Sequence, residues 1–259
     1  MPLSFHRTPA AARARIDLVI PVRNEQENIS TLLAAIPRDL VRRVVVADNG
    51  STDQTAALAG RGGATVVSEP QRGYGAACLA GIGFLGHTGA PDIVAFMDGD
   101  LADDPGFLAR VCQPVVDARA DLVIASRRRL AEPGALTAPQ LLGNTLACTL
   151  IRCLTGARYS DLGPMRAIRW SSLQALNMKD RTWGWTVEMQ YKAAVQGLRT
   201  EHLDVPYRRR RAGQSKISGT VLGSIRAGVG ILSTIGFLWW QTRPARSGGK
   251  FWPQSRSAS

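Results

Sequence analysis

Two aspartates, Asp98 and Asp100, stand one residue apart directly after the apolar run at 93–97. Paired carboxylate oxygens are ligands that suit Mg²⁺ and Mn²⁺, and a cation held in this way can also bind the two phosphates of a nucleotide. Aspartate and glycine are also common in ordinary turns, so this pair alone does not decide between a metal site and a turn. Other polar clusters must support the metal interpretation.

A second polar cluster occupies residues 48–53, with the sequence Asp-Asn-Gly-Ser-Thr-Asp, at the end of another β-branched run. Asp48 would project from the edge of a sheet and could accept hydrogen bonds from a base or a ribose. Ser51 or Asp53 could instead cap the next helix, and Asn49-Gly50 could simply turn the chain. Both interpretations place the cluster between a strand and a helix.

The third cluster, residues 21–25, has the sequence Pro-Val-Arg-Asn-Glu and ends the first β-branched run. Here Asn24 is an alternative helix cap, and Glu25 would favour the positive end of the helix dipole. Three polar clusters at strand ends are much less expected by chance than one. Together they predict a nucleotide pocket.

The elements that must position these residues alternate between short β-branched runs and helical stretches, which is typical of a parallel sheet covered by helices. Ligands of such sheets bind beyond the carboxyl ends of the strands. The predicted strands are 16–21, 42–47, 64–67, 92–97 and 121–125, with helices at 27–36, 53–60, 74–86 and 105–118. Further on, the pattern predicts helices at 141–154 and 186–197 and a strand at 200–205.

The composition is that of one domain with short appended segments. The chain has 259 residues and is 45% hydrophobic, enough for one sizeable core. We expect residues 1–15 to be flexible and residues 242–259 to form a disordered basic tail. No apolar segment of a secretory signal follows the early basic residues, and the four cysteines lack metal-site or disulfide spacing. These features predict a cytoplasmic protein.

A net charge of +12 predicts an anionic partner: nucleic acid, a membrane surface or a phosphorylated substrate. Nucleic acid is not expected, because the basic residues cluster late and no set of stacking aromatics accompanies them. The apolar run at 227–240 is shorter than the roughly 17 to 25 residues of a spanning helix. Basic residues before it and Trp239 and Trp240 at its end favour a helix lying on an anionic membrane, with a core helix as the alternative.

The clusters at 21–25, 48–53 and 98–100 together resemble the signatures of family 2 glycosyltransferases of the GT-A fold. The resemblance implies an α/β GT-A domain over residues 16–215, with a mostly parallel central sheet flanked by helices, and a membrane-associating helical segment at 216–241. It also implies a nucleotide-diphosphate sugar donor and a Mg²⁺ or Mn²⁺ ion at Asp98 and Asp100. The implied nucleotide-sugar-binding residues are Pro21, Arg23, Glu25, Asp48, Gly50, Ser51, Asp53, Arg72 and Gly75.

Three later segments resemble the polyprenyl-phosphate (dolichyl-phosphate-type) mannosyl- and glucosyltransferases: 125–127 (Ala-Ser-Arg), 161–166 (Asp-Leu-Gly-Pro-Met-Arg) and 210–216 (Arg-Arg-Ala-Gly-Gln-Ser-Lys). This branch implies inverting transfer from a GDP-mannose or UDP-glucose type donor to a polyprenyl-phosphate acceptor, by a peripheral protein at the cytoplasmic face of the membrane. The implied phosphate- or acceptor-binding residues are Arg127, Asp161, Arg166, Arg210, Ser215 and Lys216. A solvated basic loop is the alternative for 210–216.

The chain departs from this branch at Ala102, where the branch commonly has a Gln that is a further metal ligand. Water, Asp103 or Asp104 could instead be the further metal ligand. Gly99 stands for the usual Ala, and Pro164 stands for an aromatic residue. The Ala102 difference bears on the metal geometry and on which sugar is used, and Gly99 and Pro164 also place this chain in a divergent subgroup of the branch.

Asp98, Asp100, Arg127 and Glu188 are the predicted catalytic residues. A phosphate monoester loses its second proton at a pH of about 6. A phosphate acceptor is therefore already ionised near neutral pH and needs no general base. A hydroxyl acceptor would need one, and Glu188 or Asp161 is the candidate. Both have structural alternatives, Glu188 as a helix first-turn charge and Asp161 as a loop organiser that holds an arginine.

Other classes of protein remain open. A family 2 transferase that acts on a soluble or polymer acceptor would use the same pocket. A sugar nucleotidyltransferase, which releases pyrophosphate, also uses a nucleotide-binding sheet and a carboxylate-held metal. A dehydrogenase is disfavoured, because the first strand is not followed by a Gly-x-Gly-x-x-Gly turn.

Overall fold

A computed structural model describes residues 14–209 and 221–242. Within them, the strands are β1 Ile16–Val22, β2 Val41–Asp48, β3 Thr65–Ser68, β4 Ile93–Phe96, β5 Leu122–Ser126, β6 Arg166–Arg169 and β7 Thr200–Asp204. The α-helices are α1 Ile29–Ala35, α2 Thr55–Arg61, α3 Tyr74–His87, α4 Leu108–Val116, α5 Ala138–Thr155, α6 Trp170–Leu176, α7 Trp185–Val195 and α8 Val221–Thr242. A short 3₁₀ helix, Pro105–Phe107, precedes α4.

The strands form one sheet in the order β3-β2-β1-β4-β6-β5-β7. All neighbouring pairs are parallel except those of β6, which runs antiparallel to β4 and β5. Arg166 opens β6 and lies opposite both Phe96 and Ile124. The start of β6 therefore lies at the edge where β4 and β5 end, and the predicted mostly parallel sheet is confirmed.

The first strand shows why the sheet is buried on both faces. All seven residues of β1 are buried, which is typical of a central strand in a parallel sheet. The Asp17 carboxylate in this strand is fully buried and accepts hydrogen bonds from Arg42 and Arg43 of β2, at 2.7 and 2.6 Å for the shortest contacts. Paired in this way, the charge is tolerated inside the fold.

Two helix boundaries differ from the prediction for local reasons. The helix predicted at 141–154 begins at Ala138, because the Thr137 side chain and Gln140 form a capping box in front of it. The helix predicted at 105–118 is divided, since Asp104 caps the 3₁₀ turn and the regular helix α4 begins only at Leu108.

Helix α8 packs on the domain with one face only. Ile235 and Leu238 are buried in a cluster with residues of α5 and α7, including Ala147 and Tyr191. Four apolar side chains of the same helix are exposed to solvent: Leu232, Phe237, Trp239 and Trp240. In the ranges 14–209 and 221–242, no helix combines the length and the apolar character needed to cross a membrane.

Candidate functional site

A cavity of about 420 Å³ lies at the edge of the sheet where β1, β2 and β4 end. We call it the donor-side cavity. The three polar clusters converge around it, as the sequence predicted. Six of the predicted site residues line it: Pro21, Arg23, Glu25, Arg72, Asp98 and Asp100.

Asp98 and Asp100 follow β4 in a tight loop. A Cβ at Gly99 would lie 2.7 Å from Val22 Cγ1, so glycine is needed between the two aspartates where the loop passes the end of β1. Within the described residues, no group of three or more His, Cys, Asp or Glu side chains is arranged to hold a metal ion. Two carboxylates are nevertheless a sufficient protein contribution for Mg²⁺, which usually keeps several waters and binds substrate phosphates.

Of the two carboxylates that could replace the ligand lost at Ala102, Asp104 is held by other partners. Asp104 accepts a hydrogen bond from Gly106 N at 2.9 Å and pairs with Arg208 at 2.8 Å. Asp103 is buried, and neither of its carboxylate oxygens has a hydrogen-bond partner among the described residues. Burial, reinforced by the negative charge of Asp98, raises the pKa of Asp103 well above its ordinary value.

The cluster at 48–53 organises a loop beside the donor-side cavity. Asp48 accepts hydrogen bonds from the backbone and hydroxyl of Ser51, and the Ser51 hydroxyl accepts one from Asn24 N at 2.9 Å. Gly50 adopts a positive φ of 71° in the turn. Asp53 accepts hydrogen bonds from Thr55. None of the predicted residues Asp48, Gly50, Ser51 and Asp53 lines the cavity, and their hydrogen bonds organise the loop beside it.

Asn49 is a site residue that sequence analysis treated only as part of a turn. Its side-chain amide donates to the carbonyls of Glu69 and Gln71 at 3.1 and 2.7 Å and accepts from Gly73 N at 2.8 Å. It therefore joins the loop after β2 to the loop before α3. An Asn in a turn, with no partner visible in the sequence, gives no signal for such a connection.

The loop before α3 holds the segment 180–183 against the cavity. A Cβ at Gly75 would collide with the carbonyl oxygen of Asp180, and Gly75 N donates to Thr182 O at 3.0 Å. Gly75 thus permits a close approach of protein backbone. The segment carries Trp183, whose ring stacks on Tyr74 with centroids 6.1 Å apart.

A second cavity, of about 220 Å³, adjoins the first and shares Tyr74, Asp98 and Trp183 with it. We call it the acceptor-side cavity. Its other walls come from Arg127 after β5, from α5, from the loop at 162–164 and from Ile231 of α8. Asp98 therefore lies at the junction of the two spaces, where a reaction between two substrates would take place.

Arg127 is fixed in the wall of the acceptor-side cavity by Asp161. Its Nε and Nη2 each donate to a different oxygen of the Asp161 carboxylate at 2.8 Å, and its backbone N donates to the same carboxylate at 2.8 Å. Burial acts to raise the pKa of Asp161, but the hydrogen bonds and charge of Arg127 outweigh it, and the pKa lies below its ordinary value. Asp161 is thus the loop organiser that was one of its two predicted roles.

Arg166 was expected to bind phosphate, but it lines neither cavity. The side chain is fully buried, and its guanidinium donates to the carbonyls of Leu162, Gly163 and Thr186. Burial lowers its pKa, because no carboxylate hydrogen-bonds to it among the described residues. Arg166 therefore holds the turn at 162–164 in place from within.

Glu188 was predicted to be catalytic, and the structure shows its carboxylate held by hydrogen bonds and an ion pair. Its carboxylate accepts hydrogen bonds from the backbone N–H groups of Lys179 and Asp180 at 2.9 and 2.7 Å and pairs with Lys192 at 2.6 Å. It lines neither cavity and anchors the segment that leads to Trp183. The structural alternative, a first-turn charge of α7, describes it correctly.

The remaining predicted residues, Arg210, Ser215 and Lys216, lie outside the described residues, as do residues 1–13 of the predicted flexible segment 1–15 and residues 243–259 of the predicted tail 242–259. Tyr74 and Asn144 are among the residues of the acceptor-side cavity that were absent from the predicted set. Tyr74 could have been found from its place in the glycine-rich stretch 72–76. Asn144 lies in an apolar helix that offers no such signal.

Known proteins resemble this chain over most of its length. An uncharacterized glycosyltransferase of Mycobacterium tuberculosis is 39% identical over 214 residues, which cover 82% of this chain and 94% of that protein. A dolichyl-phosphate hexose transferase of Haloferax volcanii is 31% identical over 206 residues, covering 77% of this chain and 85% of that protein.

A solved structure supports the predicted fold. The glucosyl-3-phosphoglycerate synthase of Mycobacterium tuberculosis, crystallised with Mn²⁺, UDP and glucosyl-3-phosphoglycerate, matches with a TM-score of 0.69. It is 22% identical, and the match covers 90% of this chain and 87% of that one. The likeness confirms the predicted GT-A fold.

The family profile described as glycosyl transferase family 2 matches residues 17–174, which contain all three polar clusters and the first six strands. That range includes Arg127 and most of the residues that line the donor-side cavity, but not Thr182 and Trp183. The hexosyltransferase activity expected from the sequence agrees with the relatives found. With the profile covering more than half of its length, this chain belongs to glycosyl transferase family 2.

Proposed function

We propose that the protein transfers a hexose from a nucleotide-diphosphate sugar to the phosphate of a polyprenyl phosphate at the cytoplasmic surface of a membrane. The observation that carries this proposal is the acceptor-side cavity. It combines a fixed arginine, Arg127, with apolar walls from Leu162 and Ile231, next to Asp98. A cation and an apolar wall suit an amphiphile with a phosphate head. The similar hexose transferase of Haloferax volcanii is named for a dolichyl phosphate.

The donor-side cavity is the proposed site of a GDP-mannose or UDP-glucose type donor. Arg23 and Arg72 supply positive charge for the diphosphate, and Asp98 and Asp100 would hold Mg²⁺ or Mn²⁺. When bound, such an ion neutralises the charge that develops on the departing nucleoside diphosphate. The Mn²⁺ and UDP of the glucosyl-3-phosphoglycerate synthase support this choice of cofactor.

The residues of this chain have separate tasks in the transfer. Arg127 orients the acceptor phosphate, whose oxygen is already ionised near neutral pH and attacks the anomeric carbon with inversion. The stacked rings of Tyr74 and Trp183 stand between the two cavities and limit the access of water. No carboxylate base is needed, in agreement with the structural role of Glu188.

The membrane part of the proposal rests on exposed apolar side chains. Leu142 and Leu146 of α5 are exposed and lie one helical turn apart, so they share a face. Phe237 and Trp240 of α8 are exposed and also lie about one turn apart. Apolar and tryptophan side chains of this kind suit the interfacial layer of a bilayer. We accordingly keep 216–241 as the membrane-associating segment of a peripheral protein, appended to the catalytic domain at 16–215.

A second candidate function is transfer to a small soluble phosphate. The small volume of the acceptor-side cavity, about 220 Å³, suits a compact acceptor, and the structural likeness is to a glucosyl-3-phosphoglycerate synthase that has also been crystallised with phosphoglyceric acid. Transfer to a soluble acceptor does not explain the exposed apolar faces of α5 and α8. For that reason we favour the lipid acceptor.

The test is a transfer assay with Mn²⁺, GDP-mannose or UDP-glucose, and either undecaprenyl phosphate in anionic liposomes or 3-phosphoglycerate in solution. We expect a nucleoside diphosphate and a glycolipid as products, and loss of at least about a hundredfold in rate for Asp98→Asn and Asp100→Asn. Transfer to 3-phosphoglycerate alone would replace the lipid proposal. Release of pyrophosphate would indicate a nucleotidyltransferase.

A further inference from the structure

The inference concerns Asn144, a residue of α5 in the wall of the acceptor-side cavity. The residue is only 8% exposed. Its Oδ1 accepts a hydrogen bond from Leu162 N at 2.8 Å, whereas its Nδ2 has no acceptor within the described part of the chain. A buried donor without an acceptor destabilises a fold, so its presence at a cavity wall calls for a ligand as its partner.

The orientation of this amide is determined by its other half. Within the Asn144 amide, only the oxygen can accept the hydrogen bond from Leu162 N. The Nδ2 group therefore lies on the side of the amide away from Leu162 N. The same N–H also donates to Asp161 Oδ1 at 2.8 Å. Asn144 and Arg127 are therefore both positioned by the short segment 161–162.

The guanidinium of Arg127 keeps a donor for the same space. Its Nε and Nη2 are bound to Asp161, and its Nη1 takes no part in that pair. Among the polar side chains that line the cavity, Arg127 thus offers a charged N–H and Asn144 a neutral one. Two donors held by one turn match two oxygens of a single tetrahedral anion.

We propose that Asn144 binds the acceptor phosphate by donating from Nδ2 to one of its oxygens while Arg127 binds another. This inference rests on the proposed transfer to a phosphate monoester and names a residue that selects such acceptors. The third oxygen is left to attack. It forms the new bond to the anomeric carbon as the bond from that carbon to the nucleoside diphosphate breaks, and the electron pair leaves with the diphosphate. Because the acceptor is ionised, no proton is transferred.

The central experiment is Asn144→Asp. This change keeps the oxygen that accepts from Leu162 and replaces the Nδ2 donor with an oxygen that repels phosphate. We expect KM for the acceptor to rise at least about tenfold, as for loss of a hydrogen bond to a charged group, with KM for the sugar nucleotide unchanged. Asn177→Asp, the same change at an exposed residue that ends α6, is the matched control and should behave as the parent.

Binding is measured separately, by calorimetry with farnesyl phosphate, 3-phosphoglycerate and inorganic phosphate. The parent should bind at least one of them, and Asn144→Asp should lose that binding. Binding of farnesyl phosphate alone would indicate that the acceptor phosphate belongs to a lipid. Binding of all three ligands would indicate that the site takes a free phosphate compound. If the parent transfers sugar to no phosphate acceptor, the proposed function fails, while these binding measurements still decide the role of Asn144.

A measurement on the parent makes the test independent of the folding of the variant. The side-chain amide resonance of Asn144 should shift in an NMR titration with the phosphate ligand that calorimetry identifies. An unchanged resonance at saturation would overturn the inference. So would an Asn144→Asp enzyme with the parent's acceptor KM and phosphate affinity, or one whose KM values for both substrates rise equally, because that result indicates a purely structural role.

Discussion

The Asp161 carboxylate holds the Arg127 guanidinium through two parallel hydrogen bonds of 2.8 Å, with the carboxylate side chain 1% exposed and the arginine 15% exposed. Such a two-pronged pair fixes the plane as well as the position of the arginine. Arg127 consequently faces the acceptor-side cavity in one orientation. In this pair, the Asp161 carboxylate orients the Arg127 guanidinium.

Replacing Asp161 with asparagine should therefore damage both stability and acceptor use. Breaking one partner of a buried ion pair costs about 3–5 kcal/mol, which should appear as a large fall in Tm. Asp204→Asn is the control: its pair with Arg129 at 3.6 Å is exposed and is worth roughly 0–1 kcal/mol. Equal Tm values for the two variants would contradict the structural role of the Arg127 pair.

The same pair predicts how stability depends on pH. Because the folded-state pKa of Asp161 lies below its ordinary value, its contribution is present above that ordinary value and is lost as the pH falls through the lower one. The stability difference between parent and Asp161→Asn should thus be largest near neutral pH and shrink in acid. Urea unfolding at a series of pH values measures it.

Asp103 should show the opposite pH dependence. Burial and the charge of Asp98 raise its folded-state pKa, so the folded protein loses stability as the pH rises from the ordinary carboxyl value through the raised one. Asp103→Asn removes this loss and should melt at a higher temperature than the parent at pH 8. The difference in melting temperature between the variant and the parent should close toward pH 4. Asp117→Asn, a change at an exposed carboxylate, should not raise the Tm at pH 8.

Gly75→Ala should impair donor binding through backbone displacement. The added methyl group would collide with the Asp180 carbonyl, and the segment that carries Trp183 must move. We expect a higher KM for the sugar nucleotide together with a lower Tm. Gly83→Ala in the same helix is the control, since nothing lies within 4 Å of the added atom, and it should be stabilising by about 0.5–1 kcal/mol. Similar effects of both changes would refute this explanation.

Polar substitution of the exposed apolar side chains should weaken membrane binding without loss of fold. In Phe237→Ser with Trp240→Ser, the side chains removed are 57% and 60% exposed, so Tm should change little. Sedimentation with anionic liposomes should fall. Val116→Ser changes an exposed apolar residue of α4 and should bind liposomes like the parent. Unchanged sedimentation of the double variant would exclude α8 from the membrane contact.

The sequence was sufficient to predict the strands that carry the donor-side cavity, because β1, β2 and β4 are strongly apolar runs ending in polar residues. It was not sufficient for β6. That strand has only four residues with arginine at both ends, and its place is decided by pairing with β4 and β5 rather than by its own pattern. Tertiary pairing of this kind leaves little trace in local composition.

The individual roles of site residues were harder to predict than their convergence. Gly75 resembled a ligand-approach glycine, although the close neighbour is the Asp180 carbonyl. Glu188 resembled a base, although backbone N–H groups and Lys192 occupy its oxygens. In each case the deciding partner is distant from the local motif or belongs to a backbone that a sequence pattern does not display. Residue type indicates what a side chain can do, and its neighbours determine what it does.

The antiparallel insertion of β6 has a consequence for the size of the reacting group. Asp98 follows β4 and Arg127 follows β5, and exactly one strand separates these two. Adjacent strands are about 4.8 Å apart, so the two anchoring points are separated by about 10 Å across the sheet. In the proposed transfer, this separation leaves space for one sugar ring between the nucleoside diphosphate held near Asp98 and the acceptor phosphate held near Arg127.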